Sequence, residues 1–215
     1  MLYPIALRAQ WIHYCAPRPV GYPERLKKPQ EVEVKIAVRS ALAARTRLRA
    51  AGFRLRSARV LEQNMVLDDG QGSLRAKGLL LRLRRAGKKI VCTFKGPAAR
   101  GVHKRRDEHE FEASDLNACV AVFGGLGLRP SFLYEKYRAE FERAGEAGHV
   151  TVDETPIGVF MELEGPARWI DATAKDLGFG RAEYITASYT TLYFAWCREH
   201  EVVPGNMVFG KTRRD

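Results

Sequence analysis

EVEVKIAV, residues 31–38, alternates strictly between apolar and charged side chains over most of its length. Successive side chains of a β-strand point to opposite faces, so the stretch predicts a strand with two unlike faces. One face carries Val32, Val34, Ile36 and Val38, and the other carries Glu31, Glu33, Lys35 and Ala37. Two acids and a base in succession raise the question of whether the charged face meets solvent or an interior.

The same alternation recurs along the chain. The charged faces of the later stretches carry Arg82, Arg84, Lys95, Arg106, Glu108, Glu110, Lys136, Arg138, Asp153, Glu162 and Glu164. For a single strand, a solvated face is the ordinary explanation. These faces, however, contain few Ser, Thr or Gln residues, and amphipathic helices can cover the apolar faces. The pattern therefore favours a sheet closed or nearly closed into a barrel, with helices outside and charges lining the lumen.

Helix and strand signals place the remaining elements and predict an α+β fold. Helices are expected at 40–51 with Ser40 as N-cap, after Ser114 with Ser114 as N-cap, from Pro166, and around Tyr189 to Trp196. One helical turn is expected at 73–78. Further strands are expected at 58–69, 105–113, 133–142, 149–154 and 158–164. A hairpin at 79–97 is expected to turn at Ala86-Gly87.

Composition limits the functional classes. The 215 residues suit one domain, and 36 Lys plus Arg against 25 Asp plus Glu give a net charge of +11. Such an excess predicts a polyanionic partner: nucleic acid, an anionic membrane or a phosphorylated small molecule. No apolar run approaches the roughly 20 residues that span a bilayer, and no signal peptide is evident. Four scattered cysteines indicate reduced thiols, and we expect a cytoplasmic protein.

Three segments are predicted. Residues 1–29 contain five prolines and no periodicity, which predicts an irregular N-terminal extension. Residues 30–199 form the predicted barrel domain, and residues 200–215 a C-terminal tail. The tail contains GNMVFGKT (205–212), which fits the G-x-x-x-x-G-K-[ST] pattern. Because only three residues follow it, we expect no phosphate-binding helix there.

The predicted lumen combines two kinds of charge. Unpaired buried charges are costly, so the cations and acids must compensate one another. The many cations still favour an anionic ligand, and the acids at both ends of the sequence favour hard cations such as Mg²⁺ or Mn²⁺. Cations and metal-binding carboxylates in one site are typical of a phosphoryl-transfer site.

An ordered set of motifs resembles a known family. Glu31-Val-Glu-Val-Lys35 is similar to the E-x-E-x-K signature of the CYTH superfamily, also called triphosphate tunnel metalloenzymes. This family includes class-four adenylyl cyclases, thiamine triphosphatases and inorganic tripolyphosphatases. The similarity covers about residues 31–196, through LRLR (81–84), TFKGP (93–97), RDEHE (106–110), EKYRAEF (135–141) and VDETPIGVFMELEGP (152–166).

The resemblance implies an eight-stranded antiparallel β-barrel, the triphosphate tunnel, with helices packed outside. It implies a metal role, with Mg²⁺ or Mn²⁺, for Glu31, Glu33, Asp153, Glu162 and Glu164. It implies phosphate binding by Arg82, Arg84, Lys95, Arg106, Lys136 and Arg138. Lys35 would be catalytic by helping to activate the nucleophile, and Glu108 and Glu110 would complete the lining.

Three functions remain open from the sequence. The first is metal-dependent hydrolysis of tripolyphosphate, thiamine triphosphate or ATP. The second is conversion of ATP to cyclic AMP and pyrophosphate. The third is a non-catalytic module that binds RNA or polyphosphate. The net charge suggests this function, but a protein that only binds a polyanion has little use for acids such as Glu31 and Glu33. Nucleic acid is thus a disfavoured partner, no membrane partner is expected, and a homodimer is one open assembly.

Other patterns have simpler interpretations. The five histidines show no ligand spacing. The basic stretch at 99–109 is interpreted as a loop entering a strand rather than as a nucleic-acid patch. Tyr189 and Trp196 are interpreted as helix packing rather than as a base-stacking platform.

Overall fold

A closed barrel of eight antiparallel strands forms the body of the protein in this computed structural model, which describes residues 30–99 and 101–210. In chain order the strands are β1 Gln30–Val38, β2 Arg54–Asp68, β3 Leu80–Ala86, β4 Lys89–Lys95, β5 Lys104–Ala113, β6 Arg129–Glu142, β7 His149–Thr155 and β8 Gly158–Glu164. Around the barrel their order is β1-β5-β4-β3-β2-β6-β7-β8, and β8 pairs with β1. The predicted eight-stranded antiparallel barrel and its α+β class are confirmed.

The helices pack against the outer surface of the barrel. They are α1 Ala41–Ala50, α2 Ser73–Ala76, α3 Leu116–Gly125, α4 Ala167–Asp176 and α5 Tyr189–Glu199, and a 3-10 turn spans Arg181–Glu183. The largest apolar cluster includes Val34 and Ile36 of β1, Leu48 of α1 and Ile170 of α4. The apolar face of EVEVKIAV is therefore outside the barrel, beneath helices, and its charged face is inside.

A second apolar cluster lies on the other side of the barrel. Leu67, Leu81, Leu83 and Cys92 are buried there, and apolar side chains of α3 pack against them. The predicted cap of α3 is wrong by one residue. The carboxylate of Asp115 accepts hydrogen bonds from the backbone N–H groups of Asn117 and Ala118 at 2.7 and 3.1 Å. A carboxylate satisfies two unpaired helix N–H groups here, so Asp115 replaces Ser114 as the N-cap.

Two strands are longer than predicted. The strand β2 begins at Arg54 rather than at residue 58, and β6 begins at Arg129 rather than at residue 133. The first part of β2 pairs with β6 through register shifts between Leu55 and Ser57 and between Ser57 and Val60. Bulges of this kind break the two-residue period, so the alternation that predicts a strand is absent there.

The chain beyond α5 packs on the barrel. Met207 is fully buried among Phe132, Tyr193 and Cys197. Its N–H donates to the carbonyl of Leu133 at 3.0 Å, and its carbonyl accepts from the N–H of Glu135 at 2.8 Å. The described part of the predicted tail, residues 200–210, is thus attached to β6 and forms no helix in the stretch 205–210. Residues 1–29 and 211–215 lie outside the described residues.

Among the helices that the structure describes, none has the length and apolar character needed to cross a bilayer.

Candidate active site

The charged faces of the strands meet around one cavity of about 280 Å³ inside the barrel, which we call the tunnel. Of the predicted site residues, the tunnel is lined by Glu31, Glu33, Lys35, Arg82, Arg84, Lys95, Arg106, Glu108, Glu110, Lys136, Arg138, Glu162 and Glu164. Asp153 is the predicted site residue that does not line it. The structure brings the charged faces together, and the individual roles remain predictions.

Lys35 lies between two acids. Its Nζ is 3.1 Å from Glu33 Oε1 and 3.1 Å from Glu162 Oε1, and the residue is only 2% exposed. Burial by itself would lower the pKa of this ammonium group, but the two carboxylates outweigh burial and raise it above the ordinary value. Lys35 therefore stays protonated at physiological pH.

The two glutamates of the opening motif each contact more than one cation. Glu31 is 2.6 Å from Lys95 Nζ and 3.1 Å from Arg106 Nε. Glu33 accepts from Lys104 Nζ at 2.7 Å as well as from Lys35. Burial would raise the pKa of Glu33, but Lys35 and Lys104 hold it well below its usual range. Compensation of this kind allows Glu33 to remain ionised inside the barrel.

Asp153 lies beneath the tunnel lining and is completely buried. Its carboxylate accepts from Arg138 Nε at 2.7 Å and Nη2 at 2.6 Å, and from Lys136 Nζ at 2.8 Å. The hydroxyl of Tyr189 donates a further hydrogen bond at 2.7 Å. All of these contacts hold cations or a hydroxyl in place, so Asp153 acts in this structure as the counter-ion of Lys136 and Arg138.

Arg82 and Arg84 make their shortest hydrogen bonds to uncharged groups, and each has one carboxylate at a longer distance. Arg82 donates to the hydroxyls of Tyr134 and Thr93 at 3.2 and 3.0 Å, and its nearest carboxylate, that of Glu110, is 3.5 Å away. Arg84 Nε donates to Asn64 Oδ1 at 3.1 Å, and Arg84 Nη1 is 3.4 Å from Glu62 Oε1. Burial and the neighbouring Arg82 lower the pKa of Arg84, which indicates a local excess of positive charge. This side of the tunnel is suited to an anion.

An excess of acid lies elsewhere in the tunnel. Burial, Glu31 and Glu33 raise the pKa of Glu164 to about 7. Burial raises the pKa of Glu108 to about 7 despite Lys95 at 3.0 Å, because Glu31 adds to the effect of burial. The tunnel thus places carboxylates close enough to oppose one another's ionisation, which a divalent cation would relieve.

The acids match a hard metal ion in donor chemistry but do not form a ready-made cage. Among residues 30–99 and 101–210, no three His, Cys, Asp or Glu side chains are arranged to hold a metal ion. Glu31 and Glu33 face cations in this structure, as described above. A metal could be held by the oxygens of Glu31, Glu33 and Glu164 once side chains turn away from these partners.

Sequence reasoning missed several residues that line the tunnel, among them Lys104, Tyr134 and Tyr189, and it missed Glu62 and Asn64, which contact the lining residues Arg84 and Lys136. Lys104 precedes Arg106 by two residues and extends its charged face, so the alternation could have identified it. Glu62 and Asn64 lie two residues apart and share one face of β2. Val60 and Val66 lie on the same face, so the sequence of β2 shows no clean alternation of polar and apolar residues. Tyr189 does pack in an apolar cluster as predicted, yet it also lines the tunnel, which only the tertiary fold shows.

The chain belongs to the CYTH domain family, whose model matches residues 29–186. Proteins of this family bind triphosphate substrates and generally depend on a divalent metal. No functionally curated protein matches the chain.

Solved structures share the fold at low sequence identity. An adenylate cyclase candidate from Vibrio parahaemolyticus has a TM-score of 0.65 and 21% identity, covering 74% of this chain and 95% of that one. A Pyrococcus horikoshii protein, PH1819, has a TM-score of 0.65 and 19% identity, covering 77% and 98%. HpAC1 from Hippeastrum, an adenylyl cyclase candidate described as having a dominant triphosphatase activity, has a TM-score of 0.57 and 19% identity, covering 81% and 98%. At these identities the similarity establishes the fold.

Proposed function

We propose that the protein hydrolyses a triphosphate compound in the tunnel with the help of Mg²⁺ or Mn²⁺. The observation that carries this proposal is the mixed lining of one 280 Å³ cavity, in which cations surround the space and mutually opposed carboxylates lie within it. A site that only bound a polyanion would need acids to compensate its buried cations, but it would not need carboxylates that oppose one another's ionisation, as Glu31 and Glu33 oppose that of Glu164. A site for a metal alone would gain nothing from the cations.

The cations supply the phosphate-binding surface. Arg82, Arg84, Lys95, Arg106, Lys136 and Arg138 are the proposed ligands of the phosphate oxygens. Their hydrogen bonds to fixed groups, such as that of Arg82 to Tyr134, hold the donors in place before the ligand arrives. Donors fixed in this way stabilise charge that shifts during phosphoryl transfer without reorganising first.

The acids and Lys35 supply the remaining chemistry. Glu31, Glu33 and Glu164 would hold the metal, with Glu162 close by, and the bound metal would supply charge neutralisation and an activated water. Lys35 remains protonated, so we assign it to stabilising negative charge near the reacting phosphate. Asp153, which was predicted to face the metal, we instead assign to positioning Lys136 and Arg138.

Product identification tests this proposal. The purified protein is incubated with tripolyphosphate, thiamine triphosphate or ATP in the presence of Mg²⁺ or Mn²⁺, with an EDTA control. We expect metal-dependent release of orthophosphate from at least one compound. Formation of cyclic AMP and pyrophosphate would instead identify a cyclase, and tight binding without turnover would identify a non-catalytic module.

The substitution Arg82→Ala should weaken triphosphate binding and slow turnover. A charge-assisted hydrogen bond contributes about 1.5–3 kcal/mol, which corresponds to a rise in KM of roughly 10- to 150-fold. The rise in unfolding temperature on adding ligand with metal should shrink in parallel, because ligand stabilisation follows affinity. Steady-state kinetics and thermal unfolding measure the two effects.

Arg85→Ala is the matched control, since Arg85 lies on the outer face of the same strand, where its guanidinium donates to the side-chain oxygen of Gln63 at 3.1 and 2.5 Å. This control should keep the wild-type KM. If both variants kept wild-type kinetics and ligand stabilisation, Arg82 would have no part in substrate binding.

A further inference from the structure

An open cavity of about 430 Å³ lies outside the barrel, where the chain enters β5, and we call it the outer pocket. It is lined by Ala99, Gly101, Val102, His103, Arg105 and Arg181. Successive side chains point to opposite faces here, so Lys104 and Arg106 line the tunnel while His103 and Arg105 line the outer pocket. One stretch of chain thus supplies two separate sites.

The imidazole of His103 is held in one orientation. Its Nε2 is 2.8 Å from Oδ1 of Asp171 on α4, and the residue is only 9% exposed. Its ring also contacts that of Tyr184, with the two centroids 5.9 Å apart. A protonated histidine donates from both ring nitrogens, so the contact of Nε2 with Asp171 leaves Nδ1 as the donor for a ligand.

Asp171 organises the groups around the outer pocket. Besides contacting His103, its carboxylate accepts from the hydroxyl of Tyr184 at 3.1 Å and from Nη2 of Arg181 at 2.5 Å. Burial would raise the pKa of Asp171, but the hydrogen bonds from Arg181, His103 and Tyr184 lower it below its ordinary value. Burial and Asp171 raise the pKa of Tyr184 to about 12, so its hydroxyl keeps its proton and donates. Asp171 therefore stays ionised and orients three donors.

The outer pocket carries more cationic groups than acids. His103 and Arg181 share the single carboxylate of Asp171. Arg105 is exposed, and within the described part of the chain no carboxylate lies at ion-pair distance from its guanidinium. One carboxylate thus faces two guanidinium groups and an imidazole. Guanidinium groups present planar sets of N–H donors that match the oxygens of a phosphate, so the excess suits an oxyanion.

We propose that the outer pocket binds an oxyanion of the phosphate class through His103, Arg105 and Arg181. The inference does not depend on the proposed function, because none of these three side chains lines the tunnel. A free phosphate ion and the phosphate group of a larger molecule present the same oxygens to these donors. Val102, which is 48% exposed beside them, is an apolar surface that only the larger molecule would use.

A titration followed by NMR tests the proposal at the site itself. The ring signals of His103, identified by comparison with His103→Gln, are recorded at mildly acidic pH while inorganic phosphate replaces NaCl at constant ionic strength. We expect a saturable shift of these signals. Arg105→Gln and Arg181→Gln should each weaken phosphate binding about tenfold, because each removes a charge-assisted hydrogen bond. The control is Arg129→Gln, since Arg129 is exposed on β6 and lines neither the tunnel nor the outer pocket.

The ring signals of His149 report separately on phosphate in the tunnel, which this residue lines. Arg105→Gln should leave their response to phosphate unchanged. His103 signals that do not shift, that shift without saturating, or that saturate with wild-type affinity in both Arg105→Gln and Arg181→Gln would overturn the proposal. A saturable shift with glycerol phosphate also supports it: tighter binding than that of inorganic phosphate identifies an ester as the ligand, and weaker binding identifies the free ion. Thermal unfolding verifies that the variants are folded.

Discussion

The double substitution Glu31→Gln with Glu33→Gln should reduce triphosphate turnover by roughly one hundred- to ten-thousand-fold. A catalytic metal contributes several kcal/mol of transition-state stabilisation, and each 1.36 kcal/mol corresponds to about tenfold in rate. Glutamine keeps the size of the side chain and removes the anionic ligand. Steady-state rates measured over a range of Mg²⁺ and Mn²⁺ concentrations report both the loss and the metal dependence.

The fold should survive this double substitution. Lys35 retains Glu162 at 3.1 Å, and Lys95 retains Glu108 at 3.0 Å. Lys104 and Arg106 lose an ionic partner, but the amide oxygens of the two glutamines can still accept their hydrogen bonds. Glu112→Gln with Glu142→Gln is the control, because it removes the same charge from exposed side chains. A double variant of Glu31 and Glu33 that kept wild-type activity and metal dependence would show that these glutamates do not bind the metal.

Asp153→Asn should lower the free energy of unfolding by about 3–5 kcal/mol, the usual cost of removing one partner from a buried ion pair. Arg138 and Lys136 both bond to this carboxylate, and the hydroxyl of Tyr189 donates to it as well. Burial and Asp153 raise the pKa of Tyr189 well above its ordinary value, so this hydroxyl keeps its proton and remains a donor. Denaturant unfolding in metal-free buffer measures the change.

Glu154→Gln provides the comparison for Asp153. The adjacent Glu154 pairs with Arg59 at 2.8 Å and Arg45 at 3.1 Å near the surface, where such pairs contribute at most about 1 kcal/mol. If Asp153 positions the cations, its substitution should destabilise the metal-free protein much more than that of Glu154. An unchanged unfolding free energy together with weaker metal binding would instead support the metal role that the family resemblance implies for Asp153.

The strands with a strict two-residue period could be predicted well from the sequence. In the stretches 31–35, 81–84 and 161–164, charged and apolar residues alternate without exception, and the charged residues predicted to share an interior do so. The closure of the sheet into a barrel was harder to predict from the sequence, because charged and apolar residues alternate in the same way whether the charged face meets solvent or a lumen. It became predictable when the pattern recurred in many strands and matched the order of motifs in a known family.

Other parts of the site depend on contacts between distant segments. Tyr189 reaches Asp153 from a helix 36 residues further along the chain, and no local pattern signals this contact. Met207 has no periodic neighbours, yet it is buried because its backbone pairs with β6. For Asp153 a local motif was present but insufficient. The motif suggested a metal ligand, whereas the depth of the side chain below the tunnel lining depends on how β6, β7 and α5 pack together.

If phosphate and metal bind in the tunnel as proposed, its paired charges make the two binding events mutually dependent. Glu31 neutralises Lys95 and Arg106, so a phosphate that takes over these cations leaves the carboxylate without compensation and raises its affinity for a divalent ion. By thermodynamic reciprocity, the metal raises the affinity of the tunnel for phosphate by the same factor. Because these charges pair with one another, a bound phosphate would replace Glu31 as the partner of Lys95 and Arg106, and a bound metal would replace these cations as the partner of Glu31.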